Sequence, residues 1–229
     1  MLDPFMRTKL LIGYENFEKL NASRVAVFGV GGVGSYVVEG LARAGIGSLD
    51  IFDGDTVNDT NINRQLIADF TTIGLSKVEV MKKRLLNINP KMNVCANECV
   101  FNESNFRQYS FKDYDYIVDA IDMVSSKILI IVEAKKLNKR VISCMGTGNK
   151  ICPEKLRVSD IYSTKICPLA RVLRKELKVR QIKDLKVVYS EENPIYVPHD
   201  KINASISFVP SSAGLLIASE VVRDLISIR

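Results

Sequence analysis

The sequence predicts an α/β protein: one mostly parallel sheet flanked by helices, with a basic crossover insertion and a C-terminal helix. Three observations predict it: short apolar runs, segments with helical spacing between them, and regular alternation of the two through residue 144. Residues 24–29 (RVAVFG) form an apolar run ending in glycine, 31–45 have helical spacing, and 48–53 (SLDIFD) give a second strand, opening a β-α-β unit. Residues 54–73 are polar, rich in Asn, Asp and Thr, and predict a loop or irregular helix. From 74 to 86, Val78, Met81 and Leu85 share one helical side, and Asn89-Pro90 ends the segment. Residues 92–96, 116–120 and 140–144 are further strands, with a helix at 125–137, so helices should cover both faces of the sheet. After residue 148 the rhythm changes. Strands at 156–160 and 186–190 flank a basic helix at 168–179, and 191–204 is an extended loop with two prolines. A strand at 206–209 and a helix at 212–226 close the chain. The expected organisation is a single domain, with an N-terminal arm (1–23), a core (24–148), the insertion (149–205) and the closing strand and helix (206–229).

Composition excludes several classes. Among 229 residues the apolar runs, such as 128–132 and 214–218, are short or cut by charges, far below the roughly 20 residues of a membrane span. The first residues carry Asp3 and Arg7 and lack an apolar signal core, so a soluble cytoplasmic protein is expected. Five cysteines, at 95, 99, 144, 152 and 167, have no framework spacing and form no C-x-x-C pair, which predicts neither disulfides nor a zinc site. A net charge of +6 permits a polyanionic partner but is also ordinary for an enzyme.

The first motif with chemistry is Gly29-Val30-Gly31-Gly32-Val33-Gly34, after a strand and before a helix, with Asp53 nineteen residues beyond Gly34 at the next strand's end. Glycines admit phosphate close to the backbone, a helix N-terminus offers free N–H groups, and a carboxylate accepts from ribose hydroxyls. That context favours a Rossmann-like nucleotide site over a close strand–helix packing turn.

The segment that follows narrows the chemistry: Asp53-Gly54-Asp55-Thr56-Val57, then Thr60-Asn61-Ile62-Asn63-Arg64-Gln65, then Gly74-Leu75-Ser76-Lys77, and Asp119-Ala120-Ile121-Asp122 at the end of the fourth strand. In this order the blocks resemble the ThiF/MoeB/HesA activating-enzyme superfamily, whose members adenylate a carboxylate with ATP. The resemblance implies that Arg64 and Lys77 bind phosphate, Asp122 holds magnesium, Asp53 binds ribose, and Asn61 and Asp55 add nucleotide contacts. The residue types suit the chemistry, because a carboxylate attacking a phosphate brings two anions together and requires cations and a hard metal. Phe5 to Gly13 (FMRTKLLIG) is similar to the superfamily's N-terminal block, whose arginine, here Arg7, crosses a two-fold interface into the partner's site. A homodimer is therefore implied; the alternative is a frayed basic terminus.

The second half narrows the resemblance. Ser143-Cys144-Met145-Gly146-Thr147-Gly148-Asn149-Lys150, Cys167-Pro168-Leu169-Ala170-Arg171, residues 185–190 (LKVVYS) and 207–214 (SFVPSSAG) look like the tRNA threonylcarbamoyladenosine dehydratases. These use ATP to activate the threonine carboxylate of a modified adenosine, after which a ring closes with loss of AMP. Ala204 departs from the glycine expected in that branch. Between Lys165 and Lys186 there are eight Lys or Arg against Glu176 and Asp184, and Arg171, Arg174, Lys175 and Lys178 share helical spacing opposite Leu169, Val172, Leu173 and Leu177. Such a face suits the phosphates of an anticodon stem, or is simply the solvated side of an amphipathic helix. Cys167, before Pro168 at a helix start, lies where related activators place an acyl-accepting cysteine, although ring closure needs no thioester and a buried small hydrophobe is the plainer reading. His199 reads as a surface residue. Two rival functions are an activator of a ubiquitin-like or sulfur-carrier protein, disfavoured by the missing zinc cysteines, and a nicotinamide-binding redox protein, which leaves Arg64 and Lys77 without a role. A sulfur-transfer protein remains open as a further partner.

Overall fold

The computed structural model describes residues 3–198 and 203–228; His199 lies outside them. Seven strands form one sheet: β1 (Arg24–Phe28), β2 (Ser48–Phe52), β3 (Asn93–Asn97), β4 (Tyr116–Asp119), β5 (Arg140–Cys144), β6 (Leu156–Asp160) and β7 (Lys186–Ser190). Their order is β3-β2-β1-β4-β5-β7-β6, and every pairing is parallel except the antiparallel edge pair β6–β7. The helices are α1 (Met6–Ile12), α2 (Tyr14–Ala22), α3 (Gly34–Ala44), α4 (Lys77–Ile88), α5 (Val124–Lys136), α6 (Pro168–Val179) and α7 (Phe208–Leu225).

Strand periodicity explains the two-sided core. Val25 and Val27 join one apolar cluster with Leu41 of α3, Met81 of α4 and Ile217 of α7, whereas Ala26 and Phe28 join a second with Ile130 of α5 and Leu173 of α6. Successive side chains point to opposite faces, and both faces are covered, which is why these strands read as unbroken apolar runs. Residues 149–205 contribute β6 and β7 to the same sheet. The chain winds from β1 outward through β2 to β3, then returns beside β1 as β4 and winds the other way. The carboxyl ends of β1 and β4 therefore flank the switch point where open α/β sheets form a crevice.

Two contacts fix how helices α3, α4 and α7 pack beside that crevice. A Cβ at Gly214 would lie 2.4 Å from the Val33 carbonyl oxygen, so α7 seats directly against the start of α3. Arg84 of α4 donates from Nε and Nη2 to the Glu39 carboxylate of α3 at 2.8 and 2.9 Å. Burial pushes the Glu39 carboxyl up, but the guanidinium groups of Arg84 and Arg43 outweigh it and hold it below the usual range.

The structure corrects the sequence reading in four places. The expected strand at 206–209 does not form; α7 begins at Phe208, because Pro210 falls in the first helical turn, where a missing N–H costs nothing. The arm 1–23, to which the sequence reading assigns no element, contains two helices. Helix α3 starts at Gly34 and α4 at Lys77, each three residues later than the spacing suggests, since glycine-bearing turns precede both. On α6 the buried residues are Ala170, Leu173 and Leu177, whereas Val172 is exposed.

Candidate active site

A cleft of about 790 Å³ opens at the carboxyl ends of β2, β1, β4 and β5, within the size range of small-molecule sites. Its floor is the loop from Gly29 to Gly34. Gly29 has φ +88°, and a Cβ there would meet the Ala120 carbonyl oxygen at 2.7 Å; a Cβ at Gly34 would meet the Gly29 carbonyl oxygen at 1.8 Å. Only glycine lets this loop fold back on β4 while its following residues open α3. The Val30 and Asp55 N–H groups donate to Asp53 at 2.8 and 3.0 Å. An ionised carboxylate accepts about four hydrogen bonds, so Asp53 shapes the loop and keeps capacity for hydroxyl donors.

The wall opposite the glycines is the turn from Asn58 to Gln65. Buried Asn61 accepts from the Asn58 N–H at 3.2 Å. The stem of Arg64 lies against Gly32, where a Cβ would sit 3.4 Å from its Cγ. Its Nη1 donates to the Thr60 carbonyl at 2.8 Å and to Asn63 Oδ1 at 3.0 Å, both neutral, so the guanidinium has no carboxylate partner among the described residues. Lys77 is buried and instead paired, with Nζ 2.7 Å from Asp55 Oδ2 and 3.9 Å from Asp53 Oδ1. Gln65 also lines the cleft, beside Gly31, and its buried Oε1 has no hydrogen-bond partner among the described residues. Asp122, exposed at the β4 end, completes this half of the cleft.

The two carboxylates of the Asp119/Asp122 block part company. Asp119 is fully buried, 2.9 Å from Lys127 Nζ, and accepts from Ser143 Oγ at 2.5 Å and from the Ile121 N–H at 3.2 Å. Lys127 also donates to the carbonyls of Ile121 and Cys144, each at 2.9 Å, so one fully buried lysine braces the ends of β4 and β5. Sequence reasoning passed over Lys127. The signal was there: it sits three, four and seven residues before the buried Ile130, Ile131 and Ala134, the one cation on an apolar helical stripe.

Beyond β5 the cleft is lined by Gly146 to Lys150 and by Cys167. Lys150 is buried and donates to the Gly146 carbonyl at 2.7 Å. Burial pulls its pKa below that of a free lysine, against the opposing influence of Cys167, Cys144 and Glu192. Cys167 is buried at the N-cap of α6, and burial pushes the neighbouring Cys144 thiol up to about 12, keeping it protonated.

The structure gathers Gly29, Gly31, Gly32, Asp53, Asp55, Asn61, Arg64, Lys77, Asp122 and Cys167 around one cleft, with Gly34 just beneath it. It does not bring Arg7 there; Arg7 is exposed on α1, outside the lining. The basic residues of α6 are also outside. Arg171, Lys175 and Lys178 are exposed, whereas Arg174 is half-buried and bonded to the Thr164 hydroxyl and carbonyl. Among the described residues, no group of three or more His, Cys, Asp or Glu side chains is placed to hold a metal, and no helix is long and apolar enough to cross a membrane.

The chain is similar to known proteins over nearly its whole length. The tRNA threonylcarbamoyladenosine dehydratase of Bacillus subtilis is 40% identical over 243 residues, covering 99% of this chain and 96% of that protein. The crystal structure of the Escherichia coli tRNA N6-threonylcarbamoyladenosine dehydratase in complex with ATP superposes with a TM-score of 0.92 at 31% identity, covering 98% of this chain and 94% of the other. Its complex with AMP gives 0.91, again at 31%. Residues 5–228 match the ThiF family, and with the glycine loop, the two cations and Asp122 around one cleft, the chain belongs to that family.

Proposed function

We propose that this protein uses ATP to adenylate the threonine carboxylate of tRNA threonylcarbamoyladenosine, and that the activated acyl group then closes a ring. In the first step a carboxylate oxygen bonds to the α-phosphorus and pyrophosphate leaves. In the second, the carbamoyl side of the same group attacks the acyl carbon, a proton is lost and AMP leaves, so the nucleoside loses one water overall. The observation that carries the reading is the convergence of Arg64 and Lys77 on a glycine-floored cleft that ends in Asp122. Cations held rigidly beside a triphosphate stabilise charge that develops at phosphorus. The names of the relatives support the substrate.

Each residue has a role in this proposal. The loop from Gly29 to Gly34 cradles phosphate, Asp53 and Asn61 hold the nucleoside, and Arg64 takes the triphosphate. Lys77 exchanges its Asp55 partner for a phosphate oxygen. Asp122 suits magnesium, which binds through one or two carboxylates plus phosphate oxygens and waters rather than through a protein cage; when bound, the ion supplies charge neutralisation at the triphosphate. Arg7, exposed and outside the lining of its own chain's cleft, would serve a second copy in a homodimer. The reaction class is that of a ligase. Mass spectrometry of nucleosides from such a tRNA, after incubation with the protein and Mg-ATP, is expected to show loss of one water together with AMP release. Recovery of unchanged nucleoside would refute the proposal.

The tRNA backbone is assigned to α6. Its exposed Arg171, Lys175 and Lys178 present three uncompensated cations among the described residues. Changing these three to Glu is expected to weaken tRNA binding by at least about tenfold at low salt and to flatten its salt dependence, as loss of phosphate contacts requires. ATP affinity should not change. Equal tRNA binding across a salt series would reject the surface.

A further inference from the structure

The cleft holds one cation that nucleotide binding leaves unused. Along the sheet's carboxyl edge the order is Asp53 after β2, the glycine loop after β1, Asp122 after β4, and Lys150 after β5. A nucleotide with its ribose at Asp53 and its phosphates over the loop runs toward β4. The β5 side of the cleft, where Lys150 stands, is left open to whatever attacks the α-phosphorus.

Lys150 is 6% exposed, yet only one of its three N–H bonds, to the Gly146 carbonyl, has a partner among the described residues. The carboxylate in its neighbourhood, Glu192, is held elsewhere, accepting from the Ile151 N–H at 3.0 and 3.1 Å and from the Cys152 N–H at 2.9 Å. It makes no ion pair with Lys150. The turn does not need the lysine for its shape: the Asn149 N–H donates to the Ala204 carbonyl at 2.7 Å, the Ile195 N–H to the Asn149 carbonyl at 2.7 Å, and the Met145 N–H to the Val188 carbonyl at 2.8 Å. A buried ammonium with free donors facing a cleft is costly unless an anion meets it. The triphosphate already has Arg64 and Lys77 at the other end. The anion left over is the carboxylate to be activated.

We propose that Lys150 receives the substrate carboxylate and presents it to the nucleotide, a role that rests on the adenylation reading given above. The ammonium fixes one carboxylate oxygen through a charge-assisted hydrogen bond and leaves the other to attack phosphorus. Its pairing also offsets the repulsion between two anions brought together.

The test is a cycle between one side chain and one substrate group. An anticodon-stem RNA bearing threonylcarbamoyladenosine is compared with the same RNA whose threonine carboxylate has become a carboxamide, both binding in the presence of a non-hydrolysable ATP analogue. The wild type is expected to prefer the carboxylate by roughly tenfold to a hundredfold, the range of a buried charged hydrogen bond. Lys150→Gln and the volume-matched Lys150→Met should bind the two RNAs about equally, bind the analogue as the wild type does, and unfold at an unchanged temperature. Retention of the preference in both variants overturns the proposal. So does a loss of analogue affinity matching the loss of RNA affinity, which would place Lys150 on the triphosphate. If the wild type itself releases no AMP with the modified tRNA, the functional reading fails and this inference with it; if it does and the variants keep their preference, only this inference fails.

Discussion

Replacing Asp122 with alanine is expected to lower kcat for Mg-ATP-dependent AMP release by roughly a hundredfold to a thousandfold while leaving thermal unfolding where it was. Asp122 is exposed and makes no ion pair among the described residues, so its removal breaks nothing in the fold. Surface changes of that kind stay within about 0.5 kcal/mol. Its position at the β4 end, in the lining that also contains Arg64 and Lys77, makes it the carboxylate available to a hard cation bridging phosphate oxygens. Losing one element of transition-state charge stabilisation typically costs a factor of that size. Asp122→Asn keeps an oxygen but not the charge and should recover part of the rate when magnesium is raised. Steady-state kinetics across a magnesium series checks both variants. An alanine variant turning over at the wild-type rate would remove Asp122 from the mechanism.

The contrast with Asp119 shows what the sequence could and could not disclose. Only two residues separate the two aspartates, yet one faces solvent in the cleft and the other sits fully buried against Lys127. The resemblance gives a role to Asp122 alone and leaves Asp119 as part of the pattern; the pleat of β4, which ends at Asp119, assigns the two different surroundings. Strands were legible because both faces of the sheet are covered, leaving runs such as Val25 to Phe28 with no polar interruption. The glycine loop was legible because two of its positions tolerate no side chain at all. What stayed hidden depends on neighbours distant in sequence. Pro210 looks like a strand's end until α7 is seen packed against α3 at Gly214. Arg174 keeps the spacing of a solvated face but bonds to Thr164, ten residues away. Lys150 has no role of its own in the sequence pattern until β5 delivers it to the cleft.

Lys127→Met should be the most destabilising single change in the site region. All three Lys127 N–H donors have partners, Asp119 Oδ2 and the carbonyls of Ile121 and Cys144, each at 2.9 Å and away from solvent. Methionine matches the stem but leaves Asp119 as a buried carboxylate with only the Ser143 hydroxyl and the Ile121 N–H to satisfy it. Breaking a buried pair from one side costs about 3–5 kcal/mol, because the remaining charge stays desolvated. In a chain of this length that corresponds to a fall in Tm of roughly 6–20 °C. Pairing the change with Asp119→Asn removes the stranded charge, so the double variant is expected to be more stable than Lys127→Met alone, an interaction visible in a thermal double-mutant cycle. A Lys127→Met protein that melts with the wild type would show that the pair contributes nothing. The same brace sets the backbone on which the chemistry stands: Ile121 precedes Asp122, and Cys144 leads into the turn that ends at Lys150. The rescued double variant should therefore recover stability without recovering full activity, since the carbonyls of Ile121 and Cys144 would still have lost the lysine that holds the two strand ends at a fixed separation.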